Sequence, residues 1–152
     1  MRARKMFAAV GAAAAVAVGA VVGVASPAAA GTCGTPGCGG TVVNQGSAAP
    51  IRVANQWCWT ALQRFVGPEL ECVKNHDSWA AREADAWLAL GESSSAKSAY
   101  YYDVDAFMVR GGCRTTFYYG DAVAKPRTEA PGSDMWIRIT GTTRVSVTRV
   151  AC

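Results

Sequence analysis

Asp103 and Asp105, within YYYDVDAF (Tyr100–Phe107), have types and a spacing that could do chemistry. On a strand, residues i and i+2 share a face, with Cα atoms about 6.5–7 Å apart. Two carboxylates so placed suggest glycoside hydrolysis or cation binding. Hydrolysis needs acids on opposite sides of the scissile bond, so one strand cannot supply both. A third acid such as Glu92, Asp121 or Asp134 would have to come close in the fold. Calcium prefers several oxygens, which loop carbonyls could add, and this makes Asp103 and Asp105 a weak calcium candidate. The EF-hand pattern is broken, because Phe107 and Met108 stand where a further ligand and a Gly belong. The plainer expectation is that Asp103 ends a loop and Asp105 faces solvent or caps a turn, with Val104, Ala106 and Met108 lining the opposite face.

Nucleophilic catalysis has little to build on. The single histidine, His76, precedes Asp77, and neighbouring side chains point apart rather than forming a triad. No G-x-S-x-G elbow exists, since Gly91-Glu92-Ser93-Ser94-Ser95 lacks the closing Gly. His76-Asp77 reads instead as a turn and helix cap. The 6 cysteines are Cys33, Cys38, Cys58, Cys72, Cys113 and Cys152. Paired CxxC knuckles for zinc are absent, and an even count suits three disulfides. The expected pairs are Cys33–Cys38, Cys58–Cys72 and Cys113–Cys152, although sequence alone does not choose among the pairings. No catalytic residue, cofactor or firm metal site is expected.

The N-terminus points to export. Arg2, Arg4 and Lys5 precede an apolar run, Met6–Val24, and Ala28-Ala29-Ala30 follows Ser26-Pro27. That is the layout of a secretory signal peptide, residues 1–30, leaving one mature domain, 31–152. The run is long enough to span a bilayer. Its Ala and Gly content, without Leu or Ile, favours cleavage over stable insertion. Ala30-Gly31-Thr32 before Cys33 is unlike a lipoprotein signal, and no twin-Arg pair is present. Removing Arg2, Arg4 and Lys5 lowers the formal charge from +4 to +1. No charge run remains to steer the chain to nucleic acid.

The elements that must position these residues are mostly short strands. Thr41–Val43, Pro50–Trp59 and Glu69–Val73 alternate, as do Val104–Arg110, Thr115–Tyr119, Met135–Thr140 and Arg144–Val150. In Pro50–Trp59, Ile51, Val53 and Trp57 fall on one face, and Arg52, Ala54 and Gln56 on the other. Asp77 or Ser78 is expected to cap a helix over Trp79–Leu90, stopped by Gly91; the alternative is a loop and a strand at Ala86–Leu90. The last two strands are expected to form a hairpin around Gly141. A Gly141–Thr143 loop would pair Ile139 with Val145 and Ile137 with Val147, with Trp136, Arg138, Ser146 and Thr148 on the other face. The whole reads as mainly β: a small antiparallel sandwich or barrel with one short helix at most, stapled by disulfides.

Alternation leaves aromatics outside. Tyr100, Tyr101 and Tyr102 cannot all face inward on a strand, and Tyr118 with Tyr119, and Trp57 with Trp59, pose the same problem. Exposed rings beside polar groups stack on sugars or anchor protein interfaces. These seven residues are the expected binding set. The expected function is a secreted, monomeric, non-enzymatic binding protein for an extracellular glycan or protein. The alternatives are a protease inhibitor or toxin-like protein and, behind them, a hydrolase using Asp103 or Asp105.

The segments PIRVANQWCW, GESSSAKSAYYYDVDAFMVRGGC, MWIRI and VAC resemble small secreted cysteine-containing proteins of actinobacteria. The likeness spans most of residues 31–152, and its most specific elements are PIxVxNxWC and DVDAF followed by GC. The Ala/Val/Gly-rich signal is similar too. The resemblance implies an extracellular, β-rich protein and carries over no catalytic residue.

Overall fold

The computed structural model describes residues 35, 38–58, 61–70, 85–98, 101–120 and 125–152. The expected signal peptide, Cys33, Trp59, Cys72, His76-Asp77, Tyr100 and Asp121 lie outside these residues.

Nine strands form two sheets. They are β1 (Thr41–Asn44), β2 (Ile51–Ala54), β3 (Arg64–Val66), β4 (Asp85–Leu88), β5 (Ala106–Val109), β6 (Arg114–Tyr119), β7 (Arg127–Glu129), β8 (Met135–Arg138) and β9 (Arg144–Ala151). The four-stranded sheet runs β1-β9-β6-β7 and the five-stranded sheet β3-β8-β5-β2-β4. All pairs are antiparallel except β1 with β9. The helical element described in full is a single 3-10 turn, Ser94–Ala96.

The sheets pack face to face over one apolar layer. Val42, Phe117, Val145 and Val147 come from one sheet; Ile51, Val53, Leu88, Phe107, Val109, Met135 and Ile137 come from the other. Phe107 and Phe117 meet edge to face across it, ring centres 5.0 Å apart. Asn44, fully buried, closes one side. Its backbone N–H donates to the Glu92 carbonyl at 2.9 Å, and its side-chain amide donates to the Leu88 carbonyl at 3.2 Å. The opposite side is spanned by Arg64 on β3 and Glu129 on β7, 2.7 Å apart. Cys113–Cys152 ties the end of β9 to the start of β6 as expected. Cys38 and Cys58 are also disulfide-bonded.

Several expectations are corrected. Met135–Arg138 and Arg144–Ala151 do not form a hairpin; they lie in different sheets, joined by a turn with Gly141 at φ +57°. Ile137 and Val147 do share an apolar layer, but across the sandwich. Alternation specifies the buried face of a strand, not its neighbour. The helix over Trp79–Leu90 is replaced, in its described part, by β4. There Asp85–Leu88 pairs with Ile51–Ala54, and tertiary pairing overrides a weak Ala-rich helix preference. The strand over Pro50–Trp59 is confined to β2, and Glu69 and Leu70 lie in no strand. Short strands β3 and β7 carry too few alternating residues to be legible. Val104 joins the inter-sheet layer with Phe107 and Val109, whereas Ala106 and Met108 point the other way. The alternation thus shifts by one residue at Asp105, whose N–H donates to the Ala54 carbonyl at 2.9 Å and whose carbonyl accepts from Ile139 N–H at 2.6 Å.

Candidate functional site

The expected aromatic set divides by burial. Trp57 is buried, its indole Nε1–H donating to the Leu62 carbonyl at 3.1 Å. Tyr101 is buried too, and its hydroxyl donates to the Asp85 carbonyl at 2.6 Å, holding the start of β4. Both are structural rather than surface groups, because each ring fills core volume while its polar end satisfies a backbone carbonyl. Tyr119 is half-buried: it packs on the inter-sheet layer, donates to the Arg138 carbonyl at 3.0 Å, and lies under the Arg127 guanidinium at 5.1 Å. Tyr102 and Tyr118 are half-buried as well, each leaving part of its ring at the surface. The structure therefore does not gather the set into one patch.

The carboxylate pair is shaped by its loop. Asp103 Oδ1 accepts the Gly40 N–H at 3.0 Å, and a Cβ on Gly39 would overlap that carboxylate. Burial first, and the Asp103 charge second, push the Asp105 carboxyl up to about 7, against the opposing pull of Arg138. The third acids considered from sequence are engaged elsewhere where described. Asp134 accepts the Gly111 N–H at 2.7 Å, and Glu92 pairs with Lys97 at 2.6 Å. Among the described residues no three His, Cys, Asp or Glu side chains converge as metal ligands.

The outer faces of the two sheets differ sharply. On the five-stranded sheet, Ala54, Ala106, Met108 and Trp136 lie beneath Trp57 and Leu70 in a second apolar cluster, with Phe65 and Cys58 packed against it. Beside this cluster Arg52 lies between two indoles, 5.8 Å from the Trp87 ring and 5.5 Å from the Trp136 ring. Arg52 also pairs with Asp85 and donates to the Pro68 carbonyl at 2.8 Å. Trp87 is 43% exposed.

The four-stranded sheet has no such cover among the described residues. Thr115, Phe117 and Tyr119 point into the sandwich, so Arg114, Thr116 and Tyr118 point out. Val145 and Val147 point in, so Arg144 and Ser146 point out beside Thr41 and Val43 of β1. Strict alternation would then turn Arg149 inward. A β-bulge prevents this: Phe117 pairs with Val147 but Thr116 pairs with Arg149, leaving Thr148 as the extra residue. Beyond it Val150 packs on the core and Arg149 is exposed. Bulges commonly re-aim a side chain in this way. Thr148 Oγ1 donates to the Thr116 carbonyl at 3.2 Å, and a Cβ on Gly46 would overlap the Thr148 carbonyl. Sequence reasoning missed this; the signal was VSVTRV, where apolar spacing changes from two to three between Val147 and Val150.

No family model, curated protein or solved structure matches the chain. No helix among the described residues is long and apolar enough to cross a membrane.

Proposed function

We propose that the chain is an exported, disulfide-stapled binding protein that holds an extracellular glycan on the outer face of its four-stranded sheet. One observation carries the reading: this face is uncovered among the described residues and sets partly exposed Tyr118 opposite Ser146 and two residues from Thr116, with Thr41 across β9 beside Arg144. A tyrosine ring offers an apolar platform for a sugar ring, while hydroxyls satisfy sugar hydroxyls. Support for export comes from the basic-apolar-small layout of residues 1–30 and from the oxidised cysteines.

The test is depletion of the disulfide-intact protein by bacterial cell walls and insoluble polysaccharides, beside Tyr118→Ala. Loss of pull-down in the variant, with its melting temperature unchanged, is expected. Equal pull-down of both moves the site elsewhere, and no pull-down of either leaves a protein partner such as a protease as the object of search.

A further inference from the structure

Resting on that binding reading, we infer that the ligand is an acidic polysaccharide, bound through Arg114, Arg144 and Arg149 around Tyr118. The three arginines are exposed on one sheet face, and none has a carboxylate partner among the described residues. Some cations elsewhere are paired, Arg52 with Asp85, Arg64 with Glu129 and Lys97 with Glu92, while Arg110, Lys125 and Arg127 stand apart from these pairs; what sets the three arginines apart is their grouping on one outer face. No described carboxylate stands at an outward position of this sheet. Glu129 is opposite inward-facing Thr115 and shares its side.

Their spacing is informative. Arg114 is opposite Ala151, and Arg149 opposite Thr116, so Arg114 and Arg149 are diagonal neighbours, with Cα atoms about 7–8 Å apart. Two like charges so placed repel unless an anion joins them. Arg144 lies at the far end of β9, about 16 Å away along the strand. Tyr118, opposite Ser146, falls between the two ends. The order along the face is therefore charge, ring, charge, matching an extended polymer with anionic groups separated by sugar rings.

The chemistry agrees with the spacing. Guanidinium groups bind carboxylate and sulfate with paired N–H bonds. One ring among hydroxyls favours sugars over nucleobases, which stack on successive aromatics. The bulge at Thr148 adds weight, because it turns a third arginine onto this face while burying Val150 in its place.

The experiment measures retention of the disulfide-intact protein on immobilised polygalacturonate, on neutral dextran and on a DNA duplex. Polygalacturonate should retain it at about 50 mM salt and release it at about 300 mM. Arg114→Gln/Arg149→Gln should weaken retention by about tenfold or more. Arg64→Gln/Lys97→Gln, an equal charge change off the face, should weaken it less than about twofold. Equal loss in both double variants, or equal affinity for DNA, overturns the inference in favour of general attraction to polyanions. Equal dextran binding, unmoved by the arginine changes, overturns it while leaving the glycan reading intact. Retention by neither polysaccharide, with near-UV circular dichroism intact, defeats both.

Discussion

Trp136 and Tyr118 are both aromatic residues on the outward side of a strand, one in each sheet. Trp136 is 1% exposed, within a second apolar cluster; Tyr118 is only partly buried, on a face uncovered among the described residues. The difference begins in the strands themselves. AFMV (Ala106–Val109) is apolar at both parities, as a strand buried on two faces must be. RTTFYY (Arg114–Tyr119) and RVSVT (Arg144–Thr148) bury Thr115, Phe117, Val145 and Val147 at one parity and carry arginine, threonine, serine and tyrosine at the other. One outer face is thus built for cohesion. The other keeps groups whose cost in water is low and whose use is contact with a partner.

That contrast can be broken, most forcefully at Trp136. Trp136→Ala should destabilise by about 3–5 kcal/mol in denaturant unfolding, because a large buried ring leaves a cavity. A loss below about 1 kcal/mol would mean the second cluster is no core. Cys113→Ser/Cys152→Ser should cost about 2–4 kcal/mol by freeing the end of β9 from β6. A melting temperature unchanged by this variant would show that the β6–β9 ladder holds unaided.

Asp105 makes a smaller, pH-dependent contribution. Its carboxyl holds a proton more tightly folded than unfolded, so its penalty is absent near pH 4 and grows as pH rises to about 7. Asp105→Asn should therefore raise stability at pH 8 by about 1–2 kcal/mol, allowing for partial exposure, and have little effect at pH 4. Melting temperatures at both values decide this; a larger gain at pH 4 would reverse the sign. The smallest effect belongs to the uncovered face. Tyr118→Ala and Arg149→Gln should each change stability by less than about 1 kcal/mol, since neither is buried and Arg149 has no described carboxylate partner. A larger loss for Arg149→Gln would recast it as a structural residue.

Much of the fold was legible because alternation reports burial directly. Six strands, β1, β2, β5, β6, β8 and β9, were placed within a few residues, and Cys113–Cys152 was among the expected pairs, although an even cysteine count does not by itself choose the pairing. The site was less legible. A run of tyrosines looked like a surface, yet Tyr101 is a core residue because its hydroxyl can reach the Asp85 carbonyl. The arginine face was invisible because Arg114, Arg144 and Arg149 are far apart in sequence or apparently out of phase, and only the bulge aligns them.

The amino-acid sequence by itself determined that the chain is mainly β, that its described cysteines are oxidised, and which parity of most strands is apolar. These are local properties of composition and period. The tertiary structure alone decided that β8 and β9 belong to opposite sheets, that residues 85–88 form a strand, and which outer face is covered. A period of two says which side of a strand avoids water. Whether that side meets a hairpin partner, a facing sheet or a covering loop depends on long-range packing.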